Sequence, residues 1–162
     1  MAGRPQILLT NDDGIGSAGL WAAAEALASV DYRGDEFSQR RLYTAWDNLK
    51  DESIFFRGVE MLEAAGVPAT HLRAYMLIGF DKKETWDRIW HRFNRMVERG
   101  IEPFPMVFDM RAADPDRFRD LKRFQRWVVR RLYVYVPWKD YLGSMSRERI
   151  DRRNERGGLL DV

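Results

Sequence analysis

Four times along this chain a short apolar run leads into a segment of helical periodicity, and that alternation restricts the fold more than any other feature. Residues 6–10 (Gln-Ile-Leu-Leu-Thr) suit a buried strand, and Ser17–Ser29 reads as an alanine-rich helix opening after glycines. After a polar, turn-rich stretch at 30–40, Arg41–Trp46 can form a second strand. Asp51–Ala65 is amphipathic, with Phe55, Val59 and Leu62 on one face and Gly66 at its stop. His71–Gly79 is the clearest strand. Asp81, with Glu84 three residues later, makes a capping-box pattern for the next helix. That helix carries Trp86, Ile89, Trp90, Phe93 and Val97 on one stripe and ends at Gly100. Pro103–Asp109 supplies a fourth strand, and Arg117–Val136 is the longest helix, with Phe118, Leu121, Phe124, Val128 and Leu132 inward. Strand–helix units in series imply an α/β fold with a mainly parallel sheet and right-handed crossovers. Four units build either an open layered sheet or half of an eight-unit barrel, and the pattern admits both.

At 162 residues the chain is long enough for one domain with a real core and short for two. A single α/β domain is expected over 1–143, followed by a polar, charged tail at 144–162. An apolar share of 45% is incompatible with a disordered chain. No apolar run approaches the roughly 18 residues of a membrane span. The N-terminus lacks the basic and apolar segments of a secretory signal, so a cytoplasmic protein is expected. The absence of cysteine excludes disulfides, thiolate metal sites, a cysteine nucleophile and a cysteine-ligated iron–sulfur cluster on this chain. Between Arg117 and Arg156 stand 13 Lys/Arg against 5 Asp/Glu. Such an excess can attract nucleic acid, but a solvated helix face is its plainer explanation, and nucleic acid is not the expected partner.

Asn11, Asp12 and Asp13 follow the first predicted strand. Ligand sites of open parallel sheets lie outside the carboxyl ends of the strands. Two adjacent carboxylates offer hard oxygen ligands suited to magnesium or manganese. The run Gly14-Ile15-Gly16-Ser17-Ala18-Gly19 leads into a helix N-terminus, whose free N–H groups favour phosphate. Together they would clamp a phosphate ester, with metal-bound water as nucleophile. The same glycines match a dinucleotide fingerprint, yet two carboxylates beside a pyrophosphate repel it unless a metal intervenes. A plain turn with Ser17 as helix cap accounts for the segment equally.

The string Ile-Leu-Leu-Thr-Asn-Asp-Asp-Gly-Ile, with the Gly-Leu after it, resembles the start of the SurE survival-protein nucleotidases. That resemblance covers 6–28 and implies metal ligation by Asp12 and Asp13, with Asn11 at the same site; the helix N-terminus reading makes Asn11, Gly14, Gly16 and Ser17 the candidate phosphate-binding residues. The family completes its site with a Ser and an Asn from later glycine-containing loops, which have no counterpart here.

A second resemblance covers 31–141. Residues 41–49 (Arg-Leu-Tyr-Thr-Ala-Trp-Asp-Asn-Leu), 73–81 (Arg-Ala-Tyr-Met-Leu-Ile-Gly-Phe-Asp), 86–110 and 121–138 look like later units of a radical-SAM barrel. In that superfamily Cys-x-x-x-Cys-x-x-Cys holds a cluster near the first strand, and later strands cradle S-adenosylmethionine. By this resemblance Met76, Leu77, Ile78 and Gly79 match the fifth-strand motif against the cofactor's adenine portion. An ordinary buried strand ending at a glycine explains the same residues.

Asp47, Asp81 and Asp109 fall near predicted strand ends, where a barrel places functional groups and where loop caps also occur. His71 and His91 lack metal-ligand spacing. The chain therefore reads as a hybrid or truncated radical-SAM-like domain without its iron–sulfur cluster, joined near Ala22–Ala28 to a SurE-like first unit. Its affinity for S-adenosylmethionine is expected to be weak or nil. A divalent-metal-dependent phosphatase acting on nucleoside monophosphates is the alternative, and a basic interaction module the third. A nucleotide is the expected small ligand, and an exposed sheet or barrel edge offers a route to a homodimer.

Overall fold

The computed structural model describes residues 18–29, 33–34 and 39–141. The strand expected at 6–10, the acidic turn through Ser17 and the tail from 144 lie outside the described residues. Helix α1 spans Ala18–Ser29, and a two-residue ribbon pairs β1 (Arg33–Gly34) with β2 (Gln39–Arg40). The body then runs β3 (Leu42–Ala45), α2 (Glu52–Ala64), β4 (Leu72–Ile78), α3 (Trp86–Glu98), β5 (Glu102–Val107) and α4 (Pro115–Val129). Strands β3, β4 and β5 form a three-stranded parallel sheet in that order, open and not closed. The α/β expectation holds, and the three described parallel strands form an open sheet and not a closed barrel.

Burial along β4 alternates residue by residue. Leu72, Ala74, Met76 and Ile78 are buried under the helices, while Arg73, Tyr75 and Leu77 occupy the other, half-buried face. On that second face Tyr75 stacks on Tyr43 at 5.7 Å and meets the edge of Phe104 at 5.4 Å. Arg73 pairs there with Glu102 at 2.6 Å, and Arg41 reaches the same carboxylate at 3.1 Å. Strand order advances in one direction, so right-handed crossovers put α2 and α3 on the same face. Helix α1 packs on α2, and its Ala24 and Leu27 join the same core.

The two sheet edges differ. Phe108 donates its N–H to the Ile78 carbonyl, so the even-numbered residues of β5 face β4 and the odd-numbered ones face outward. Pro103 and Pro105 occupy outward positions, where a missing N–H costs no ladder bond. Gln125 of α4 donates to the outward Pro105 carbonyl at 2.8 Å. The β5 edge is thus finished by two prolines and a helix, a recognised way of preventing further strand pairing.

Three local expectations are corrected. The third helix starts at Trp86 with Thr85 as its N-cap, not at Asp81, because the Glu84 carboxylate is drawn to the strand end instead of its helix. Its inward stripe includes Arg92 and Met96, whereas Val97 is 37% exposed. The last helix stops at Val129 because Arg131 enters the left-handed region at φ 55°, and Leu132–Val134 continues as a separate 3-10 turn.

Trp86, Trp90, Phe93, Phe124, Trp127 and Trp138 close the core between α3, α4 and the segment after it, with ring centroids 5.2–6.2 Å apart. The Trp127 indole N–H donates to the Val136 carbonyl at 2.7 Å, which ties this segment back onto α4. The aromatic stripe seen in the sequence is core.

Candidate binding site at the carboxyl edge of the sheet

Strand β3 ends earlier than β4, which leaves ladder groups of β4 to be satisfied by side chains. Asp47 Oδ1 accepts the Leu77 N–H at 2.7 Å, standing where the next β3 residue would pair. Arg92 supplies the complementary donor to the Leu77 carbonyl at 3.1 Å. Its other terminal nitrogen donates to the carbonyls of Trp46 and Asp47, each at 2.9 Å. The Arg92 side chain is 1% exposed and also ion-pairs with Glu84. Burial draws the Arg92 pKa below its ordinary value, and the charges of Glu84 and Asp47 oppose that pull. Glu84 Oε2 in turn accepts the Gly79 N–H at 2.7 Å. One arginine and two acids therefore seal the strand ends.

Above this seal lies a cavity of about 720 Å³ between the loops that follow β4 and β5. Gly79, Phe80 and Asp81 line one side, and Phe108, Asp109 and Arg111 the other, with Arg117 of α4 behind. Phe80 is 62% exposed and Phe108 44%, and their rings meet edge to face at 5.2 Å. Asp109 is clasped by Arg111, whose side-chain and backbone hydrogen bonds hold its carboxyl down at about 2. Arg117 donates to the Glu84 carbonyl, and Asp114 caps α4 by accepting the Arg117 N–H at 2.9 Å. Asp81 Oδ1 accepts the Lys83 N–H at 2.8 Å, and its other oxygen stands 3.6 Å from Arg88. These carboxylates orient loops. Together with two exposed rings they suit binding of a small planar polar molecule better than proton transfer, and the volume falls in the range of small-molecule sites.

Gly79 sits at φ 80°, a conformation that favours glycine. A Cβ there would lie 2.8 Å from Leu121 Cδ1 and 3.1 Å from Met110 Sδ. Gly79→Ala should therefore lower stability by about 2 kcal/mol, combining backbone strain with overlap. Gly58, inside α2 with open space around it, should respond oppositely, gaining about 0.5–1 kcal/mol as alanine. Urea midpoints of the two variants check the sign of each.

Of the four residues likened to an adenine-binding strand, Met76 and Ile78 point into the helix-covered core, Leu77 lies on the opposite face, and Gly79 reaches the cavity. Asn11, Asp12, Asp13, Gly14, Gly16 and Ser17 lie outside the described residues. Asp81 and Asp109 come together in the cavity, while Asp47 is committed to Leu77. Sequence reasoning passed over Phe80, Phe108, Arg92 and Arg111, and only the placement of Phe80 and Phe108 just beyond apolar strands hinted at exposure.

Both histidines lie elsewhere. His91 contacts Glu52 at 2.8 Å, and His71 precedes β4 at the far end of the sheet. Burial raises the Glu52 pKa, but hydrogen bonds from His91 and Arg95 outweigh it and bring the carboxyl below its ordinary value. The basic α4 is largely engaged within the chain: Arg119 pairs with Asp116, Lys122 donates to Gln125, and Arg123 lies over Trp138. Among the described residues no three His, Asp or Glu side chains converge as a metal site, and no helix is long and apolar enough to cross a membrane.

Comparison with known proteins finds a short stretch of likeness. The chain is 70% identical over 27 residues to the 5'-nucleotidase SurE of Methanoculleus marisnigri, covering 17% of this chain and 10% of that protein. It is 67% identical over 27 residues to the 5'-nucleotidase SurE of Methanoregula boonei, with the same coverage. The chain thus spans about a tenth of the length of the curated relatives it matches. No family model matches the chain, and no solved structure matches it.

Proposed function

We propose that this chain is a radical-SAM-like domain without an iron–sulfur cluster, acting as a binding module for a nucleoside-class ligand and performing no radical chemistry by itself. The cavity beyond β4 and β5 carries this reading, since it combines two exposed rings with carboxylates and guanidinium groups at the carboxyl edge of a parallel sheet. A heterocyclic base would stack on Phe108 and Phe80, and ribose hydroxyls would donate to Asp81. Cluster chemistry does not fit the chain, because it has no cysteine to ligate iron. The fit to S-adenosylmethionine is partial: Gly79 borders the cavity, while Met76 and Ile78 offer it no side chain.

Calorimetric titration with adenosine and with S-adenosylmethionine tests the reading. Adenosine should bind, and Phe108→Ala should weaken it about tenfold, the usual worth of one base–ring stack. Absence of binding at millimolar ligand, or affinity unchanged in Phe108→Ala and Asp81→Asn alike, would remove the proposal.

A second reading is favoured by the 27-residue likeness to two 5'-nucleotidases. Under it Asp12 and Asp13 would hold magnesium or manganese, which would supply activation of water for hydrolysis of a phosphate ester, and Asn11, Gly14, Gly16 and Ser17 would receive the phosphate of a nucleoside monophosphate. The same protein preparation separates the two. Manganese-dependent phosphate release that vanishes in Asp12→Asn and Asp13→Asn would establish the nucleotidase reading. Equal background in all three, beside adenosine binding, would leave the binding module standing.

A further inference from the structure

We infer that Arg117 makes the cavity beyond β4 and β5 an anion receptor, so that its preferred ligand is a planar ring bearing a phosphate or carboxylate group and not a neutral nucleoside. The inference rests on the proposed stacking of a ring at Phe80 and Phe108, and it adds the group that selects among such rings.

Net charge does not decide the matter. Asp81, Asp109 and Asp114 line the cavity against Lys82, Arg111 and Arg117, three acids against three cations. What each charge is already bonded to decides it. Asp109 and Arg111 are spent on one another, through contacts of 3.0 and 2.5 Å. Asp81 accepts the Lys83 N–H and stands 3.6 Å from Arg88. Asp114 is committed to the start of α4, where it accepts the Arg117 backbone N–H. Lys82 is exposed, where water and salt screen its charge.

Arg117 differs from all of these. The residue is half-buried, and one terminal nitrogen of its side chain donates to the backbone carbonyl of Glu84. A carbonyl is neutral, so this bond fixes the guanidinium without cancelling its charge. Among the described residues no carboxylate is ion-paired with it. A guanidinium presents several N–H donors, and the Glu84 carbonyl engages one nitrogen only. The others are left for a ligand in the cavity that Arg117 lines.

The mounting is stiff at both ends. Glu84 is tied to Arg92 and to the Gly79 N–H, and Arg117 stands in the first turn of α4, which Asp114 caps. A guanidinium held in place before the ligand arrives loses little side-chain freedom on binding. That economy suits it to carboxylate and phosphate oxygens.

Calorimetric titration of the full chain in EDTA tests the inference, with adenosine, adenosine 5'-monophosphate and adenosine 5'-carboxylate as probes. EDTA keeps any divalent-metal site from contributing phosphate affinity. The monophosphate should bind about tenfold more tightly than adenosine, the scale of one charge-assisted contact. Raising NaCl from about 50 to about 500 mM should remove most of that preference in the unmodified chain. In Arg117→Gln the ratio of the two affinities should fall to about one, while Arg117→Lys, which keeps the charge, should retain part of it. Because the ratio is read within each variant, a general loosening of the loops does not mimic the effect. The carboxylate probe separates the two anions: equal gains support a receptor for either, and a gain confined to the monophosphate assigns phosphate. Equal affinity for all three probes overturns the inference and leaves the stacking site standing. A preference that survives in Arg117→Gln also overturns it, since the anion would then rest on another group. If none of the three binds, the stacking reading and this inference fall together.

Discussion

Replacing Glu84 with leucine should destabilise the folded chain by about 3–5 kcal/mol, the usual consequence of stranding a buried charge. Arg92 is 1% exposed, and Glu84 is its buried counter-ion. Leucine would leave the guanidinium with carbonyl partners only, and would also orphan the Gly79 N–H that Glu84 accepts. A small domain is stable by roughly 5–15 kcal/mol, so this single change removes a large part of the total. Urea unfolding at neutral pH gives the magnitude, and a loss below about 1 kcal/mol would contradict a buried pair. The double variant Glu84→Leu/Arg92→Met should recover only part of the loss. It removes the stranded charge, but it leaves the carbonyls of Trp46, Asp47 and Leu77 without their donor. The segment 80–85 between Gly79 and the helix that follows would also lose its anchor, so ligand affinity at the cavity should fall with stability.

Phe124→Ala should cost a similar 3–5 kcal/mol, because a fully buried ring leaves a cavity that a rigid aromatic shell cannot refill. Phe124 is inaccessible to solvent, and Trp86, Trp90, Phe93, Trp127 and Trp138 all pack around it. Helix α4 also finishes the β5 edge and contributes Arg117 to the cavity, so loosening it reaches the site. Thermal or urea unfolding monitored by tryptophan fluorescence should show the lower midpoint together with a shifted native spectrum. Val97→Ala, on the exposed side of α3, should stay within about 0.5 kcal/mol of the parent. Equal effects of the two substitutions would mean that the aromatic cluster is not the core.

The elements were readable because each rests on local periodicity. The strand expected at His71–Gly79 is Leu72–Ile78, and the amphipathic segment Asp51–Ala65 is the helix Glu52–Ala64. The burial of Phe55, Val59 and Leu62 follows from their spacing alone. Misreadings fell where distant groups compete with local ones. Asp81 and Glu84 fit a capping box, but Glu84 instead satisfies Gly79 and Arg92. The burial of Arg92 is not legible in the sequence, because an arginine on an otherwise apolar helix face is normally expected to reach solvent. Its burial becomes intelligible only once the early end of β3 exposes the Leu77 carbonyl. The prolines of β5 were visible in the sequence, yet their meaning depended on which side of the strand faces β4.

By itself the sequence determined the order and type of the described units, the apolar face of each, and the exclusion of any chemistry that needs a cysteine thiolate on this chain. Those properties depend on residue identity and on spacing within a few turns or residues, which the chain carries locally. Tertiary structure alone decided that the sheet is open, that β5 is a finished edge, and that Phe80 and Asp81 face Phe108, Asp109 and Arg111 across one cavity. Residues so far apart in sequence meet only when strand order and helix packing bring their loops to the same end of the sheet, and no local pattern encodes that distance.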